Sequence, residues 1–151
     1  MGTEIERKYL VRTDGWRPLV RESHRLRQGY LSTDPAREVR VRVVDDTEAF
    51  LTVKAGRQGP VRAEFEYPVP VGDALELLAH RTGRLVEKHR HRLAAPGVGE
   101  WVVDEYTGAH QGLIVLEIEW AETEDPCPDL PGWVAGEVTG ERAYSNASLA
   151  E

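Results

Sequence analysis

Lysine is scarce in this 151-residue chain. Nineteen residues are Lys or Arg, and only three of them, Lys8, Lys54 and Lys88, are lysines. Where arginine is the default cation, a retained lysine points to a need for a compact point charge in place of a planar fork. All three fall inside strand-like runs. Cysteine occurs once. Cys127, between Pro126 and Pro128, cannot form an internal disulfide and reads as a loop thiol. Long apolar runs are missing, which excludes a membrane-spanning helix, and the charged first residues do not form a signal peptide. The expected compartment is the cytoplasm. A basic excess is missing as well: the formal net charge is −7, against a general nucleic-acid surface, which needs a basic face to release counterions. A local cationic pocket stays compatible with that charge. There is no HExxH, no Walker-type glycine loop and no Ser or Cys triad. His24, His80, His89, His91 and His110 are therefore read as structural or surface residues.

What is present is alternation. With 40% hydrophobic and 30% charged residues the chain is globular, and its length fits one domain over 1–151. Apolar and charged residues alternate over Glu4–Val11, Arg27–Leu31, Glu38–Val44, Ala49–Lys54, Val61–Val69, Leu85–Leu93, Glu100–Tyr106 and Leu113–Trp120, and turn-rich stretches of hairpin length separate most of these runs. Eight strands joined mostly by hairpins predict an antiparallel sheet or barrel. One helix is predicted with Asp73 as its cap, an Ala74, Leu77, Leu78 stripe and Gly83 at its end. A shorter helix is expected over Asp14–Glu22, a third after Pro131, and a loop over Thr123–Pro131.

The first strand carries the sharpest chemistry. Glu4, Glu6 and Lys8 share one face, because strand side chains alternate. Two carboxylates can hold a hard cation, and an ammonium beside them can hold an anionic oxygen. The later strands place Arg40 with Arg42, Thr52 with Lys54, Arg62 with Glu64 and Glu66, Lys88 with Arg90 and Arg92, and Glu117 with Glu119 on single faces. Periodicity alone reads this as the solvated face of a half-buried sheet. If the charges point into a closed barrel instead, they need pairing or bound ions, and the apolar outer face needs cover.

The pieces Glu4-Ile5-Glu6-Arg7-Lys8, Gln28-Gly29-Tyr30-Leu31, Val39-Arg40-Val41-Arg42, Leu51-Thr52-Val53-Lys54, Arg62-Ala63-Glu64-Phe65-Glu66, Lys88-His89-Arg90, Trp101-Val102-Val103-Asp104 and Glu117-Ile118-Glu119, with Trp133 to Tyr144 and Asn146, occur in this order. Together they resemble the CYTH superfamily, the triphosphate tunnel metalloenzymes, in its small bacterial form. ExExK alone is a weak motif, and its specificity comes from the whole series.

The resemblance implies an eight-stranded antiparallel β-barrel with a charged lumen and a few covering helices. It also implies hydrolysis of inorganic triphosphate with Mg²⁺ or Mn²⁺. On that reading Glu4, Glu6, Glu117 and Glu119 are metal ligands, with Asp104, Glu64 and Glu66 as weaker candidates, and Glu119 doubles as the residue that orients water. Lys8, Arg40, Arg42, Lys54, Arg62, Lys88 and Arg90 hold the triphosphate, and Lys8 with Tyr30 serves the reacting phosphoryl group. Structural ion pairing is the alternative for the carboxylates, and packing at a strand end is the alternative for Tyr30. The partner is a small triphosphate; a homodimer is left open. Rival readings are the same fold acting on thiamine triphosphate or a nucleotide, including ATP cyclisation, a non-catalytic polyphosphate or nucleotide sensor, and a β-sandwich interaction domain.

Overall fold

Val39, Val41 and Val43 alternate with Arg40 and Arg42, and the strand that contains them is third from one edge of a rolled antiparallel sheet. A computed structural model describes residues 4–56, 63–121 and 129–151. Nine strands make up the sheet: β1 (Glu4–Val11), β2 (Val20–Ser32), β3 (Arg37–Val44), β4 (Glu48–Ala55), β5 (Ala63–Pro68), β6 (Thr82–Leu93), β7 (Glu100–Thr107), β8 (Ile114–Ala121) and β9 (Val134–Glu137). Their order is β5-β4-β3-β2-β6-β7-β8-β1-β9. The sheet rolls far enough that Lys54 on β4 acts electrostatically on Glu6 on β1, although five strands separate these two in the order. Among the described residues no strand pairing joins β5 to β1 or β9, so the barrel wall carries a seam there.

The antiparallel sheet expected from the alternation is the architecture found; the eight-stranded barrel implied by the resemblance is here a nine-stranded rolled sheet that no strand pairing closes among the described residues. β9 is a ninth strand, formed by the tail against β1. β2 is far longer than Arg27–Leu31 because Val20–Leu26 also pairs with β6. The predicted helix over Asp14–Glu22 is a 3₁₀ segment, Asp14–Leu19, with Pro18 inside it, and Val20–Glu22 already belongs to β2. The first α-helix, α1, spans Val71–Ala79 and starts after Pro70, so Asp73 lies in its first turn rather than at its cap. Gly83 does not end it: that glycine sits in β6 with φ +72°, a conformation glycine adopts without a Cβ penalty. The tail after Pro131 ends in the four-residue helix α2, Asn146–Leu149. Arg62, Val61, Cys127 and most of the Thr123–Pro131 loop lie outside the described residues.

The outer face is covered in two places. Ala74 and Leu78 of α1 pack on Val41, Val43 and Ala49. Trp16 from the 3₁₀ segment and Trp133 from the tail join Tyr9, Trp101, Leu116, Ile118 and Trp120 in a second cluster. Short segments thus supply the cover that the few helices left in question. Large aromatic side chains dominate the second cluster, and each fully buried large apolar side chain contributes roughly 1.5–3 kcal/mol. The charged face of the strands is left to line the interior.

Candidate active site

The register of the sheet builds the site. Glu6 pairs with Glu119 and Lys8 with Glu117 across β1 and β8. Arg40 pairs with Thr52, and Lys54 with Glu64, on the far wall. A cavity of about 440 Å³ results, lined by Glu6, Glu64, Glu66, Glu117 and Glu119, by Lys8, Arg40, Arg42, Lys54 and Arg90, and by Asn146. Among the described lining residues five carboxylates face five cations, and no side chain is apolar. The acids of β1 and β8 stand against the bases of β3 and β4.

The cations crowd one another. Burial, with Arg40 and Arg90 adding to it, pushes the Arg42 guanidinium down to about 9. Arg42 Nε donates to Gln28 Oε1 at 2.9 Å, while Gln28 Nε2 and Arg40 Nε are buried donors without a protein acceptor among the described residues. Unmatched buried donors are costly unless an acceptor arrives, and an anionic ligand is an acceptor. Tyr30 sits just below, buried, with its phenol hydrogen-bonded to Arg40; burial raises its pKa.

On the acidic wall Glu117 is held from both sides, by Lys8 Nζ at 3.4 Å and Arg90 at 3.5 Å. Glu6 opens to the cavity, but protein surrounds enough of it that partial desolvation, and then the Glu117 charge, raises its pKa. A carboxylate crowded by a second one is a donor set that a hard divalent cation relieves, and all-oxygen donors suit Mg²⁺ or Mn²⁺. Among the described residues no group of three or more acidic or histidine side chains already stands in metal-holding geometry. The Glu4 side chain lies outside the described ones.

Lys88 and Asp104 are placed behind the wall. Lys88 is fully buried, and its Nζ donates to Asp104 Oδ2 at 2.8 Å and to Asn146 Oδ1 at 3.2 Å. Burial pushes Lys88 down to about 8. Burial favours the neutral Asp104 acid, but Lys88 and Arg90 more than offset that and hold its carboxyl far below the usual range. Asp104 therefore anchors cations, the structural alternative weighed for it. The structure thus brings Glu6, Lys8, Arg40, Arg42, Lys54, Arg90, Glu117 and Glu119 around one cavity, and sets Tyr30 and Lys88 beneath its surface. Gln28 and Asn146 are contributors to which sequence reasoning assigned no role.

Residues 2–129 match the CYTH domain. The chain belongs to the CYTH family. A CYTH relative from Acetivibrio thermocellus, named inorganic triphosphatase, is 39% identical over 99% of this chain and 94% of its own length. A second inorganic triphosphatase, from Nitrosomonas europaea, is 36% identical over 98% of this chain and 97% of its own length. A crystal structure described as an inorganic triphosphatase superposes with a TM-score of 0.72 at 34% identity, covering 99% of this chain and 95% of that one. CYTH triphosphatases are generally divalent-metal dependent. Among the described residues no helix is long and apolar enough to cross a membrane.

Proposed function

We propose that this CYTH protein hydrolyses inorganic triphosphate to pyrophosphate and phosphate with Mg²⁺ or Mn²⁺. The observation that carries the reading is the all-polar cavity in which clustered guanidinium groups face a carboxylate wall. A linear polyanion needs donors from several directions, and Arg40, Arg42, Lys54 and Arg90 approach from three strands. Arg62 belongs to the same proposed set, outside the described residues.

Glu4, Glu6, Glu117 and Glu119 are the proposed metal ligands. A bound divalent cation would supply charge neutralisation at the phosphate oxygens and Lewis acidity. Lys8, fixed by Glu117, neutralises charge that develops on the phosphoryl group. Glu119 orients the attacking water and takes its proton as the water oxygen bonds to a terminal phosphorus. The bridging P–O bond then breaks, and pyrophosphate leaves with its electron pair. Tyr30, bonded to Arg40, acts as a positioning residue on that guanidinium. Lys88 supports the Asp104–Arg90 pair and Asn146 from below.

The absence of an aromatic side chain among the described lining residues favours inorganic triphosphate over substrates that carry a base or a thiazolium ring. Steady-state turnover of inorganic triphosphate, ATP and thiamine triphosphate in parallel tests this. A clear preference for the inorganic substrate is expected, and a preference for either organic one overturns the assignment.

A further inference from the structure

The lumen changes character along its length. Tyr30, Val86, Tyr106 and Val115 carry the same inward parity as Arg40, Arg90, Asp104 and Glu117. Yet they pack with Leu149 and Ala150 in an apolar cluster, every member of which is 8% exposed or less. One part of the interior is thus a charged cavity, and the part behind it is packed with buried side chains, among them Leu149 and Ala150 of the chain's own tail. Asn146, the first residue of α2, stands at the boundary and lines the cavity.

Its amide has one orientation. Lys88 Nζ, 3.2 Å from Asn146 Oδ1, can only donate, so the oxygen must face it; the Tyr106 hydroxyl donates to the same oxygen at 3.0 Å. The amide NH₂ is the group left for the cavity. The helix that carries it is fixed at several points. Arg84 N donates to the Ala150 carbonyl at 2.5 Å, His110 Nε2 to the Leu149 carbonyl at 2.6 Å, and Ser148 N to the capping Ser145 Oγ at 3.1 Å. Gly83 leaves room for the Ala150 carbonyl, which a Cβ there would strike.

We infer that Asn146 is the end wall of the substrate cavity and selects for a free terminal phosphoryl group, so that oligophosphates enter end-first. This rests on the triphosphatase reading and deepens it. A terminal phosphoryl presents three oxygens, one more than an internal one, and a donor standing beyond the chain end is met only by that extra oxygen. A chain with no free end leaves the donor unmatched and drives an ester group or a ring against the filled lumen.

The test measures KM and turnover for linear triphosphate. It also measures inhibition of that reaction by cyclic trimetaphosphate, which has no end, and by a dinucleoside triphosphate esterified at both ends. In the wild type both inhibitors are expected to bind about 10–100-fold more weakly than linear triphosphate, the loss of one hydrogen bond to a charged phosphate oxygen. Asn146→Ala is expected to narrow that gap to a few-fold, chiefly by raising KM. Asn146→Asp keeps an acceptor for Lys88 and Tyr106 but sets a negative charge against the terminal phosphoryl. It should therefore raise KM more than Asn146→Ala while folding better. If Asn146→Asp retains the wild-type KM, or if the gap between linear and endless phosphates is the same in all three proteins, the end-wall role is overturned and the triphosphatase reading stands. Absence of triphosphate turnover in the wild type overturns both.

Discussion

Arg90 grips Asp104 with both arms of its guanidinium, Nε to Oδ1 at 2.8 Å and Nη2 to Oδ2 at 2.9 Å. Lys88 occupies the remaining side of the same carboxylate at 2.8 Å. One buried acid thus sets the direction of one cation on the cavity wall and of one beneath it. Asp104→Asn should destabilise the fold by about 3–5 kcal/mol, because Lys88 is then a buried charge without its partner. Denaturant titration reads this directly. Asp104→Asn combined with Lys88→Met should recover a large part of the loss, since the buried Lys88 charge is then removed along with its partner. Triphosphate turnover should stay low in the double variant, because Arg90 has lost its anchor.

Glu6 and Lys54 call for opposite responses. Removing the Glu6 charge relieves repulsion from Glu117, so Glu6→Gln should keep or slightly raise the melting temperature without metal. Its turnover should fall by about 100-fold or more, and added Mn²⁺ should stabilise it less than the wild type. Lys54→Ala should keep the metal response and lose the thermal stabilisation given by triphosphate.

His24 makes stability depend on pH. Nδ1 meets Asp45 at 2.6 Å and Nε2 meets Glu22 at 2.7 Å. Both partners are acceptors, so both ring nitrogens carry protons and the ring is cationic. The hydrogen bond to Asp45, and then that to Glu22, raises its pKa. A raised folded pKa means this contribution is fully present below the ordinary value of 6.5 and fades as pH rises through the higher folded value. The ring is more than a third exposed, so solvent screens the effect and its size is small. His24→Gln should flatten the melting temperature against pH from about 6 upward, where the wild type declines.

Gly83→Ala tests the tail. The new Cβ meets the Ala150 carbonyl, and the backbone there has φ +72°. A loss of about 1–3 kcal/mol is expected, with faster amide exchange at Leu149 and Ala150 than in the rest of the sheet.

The alternation of Val39 to Val43 and of Glu117 to Trp120 was legible because a strand puts one class of side chain on each face, whichever face is buried. Which face that was could not be read from period alone, and the solvated-sheet reading of the charges was the wrong side of that choice. Arginine and glutamate line an interior because the sheet rolls, a property of all its strands at once. Asn146 stood in the series that carries the resemblance, but nothing in its neighbourhood gave it a role. Its partners, Lys88 and Tyr106, lie 58 and 40 residues away in the chain, and its helix is too short to leave a periodic trace. Gly83 looked like a helix stop because a glycine after an apolar stripe usually is one. Here its missing side chain serves the tail instead.

The most direct measurement is phosphate release from inorganic triphosphate by the wild-type protein with Mg²⁺, with Mn²⁺ and with chelator. One phosphate and one pyrophosphate per substrate are expected, dependent on added metal and abolished by chelator. Tight binding of triphosphate without release under any divalent metal would contradict it and make the cavity a polyphosphate receptor.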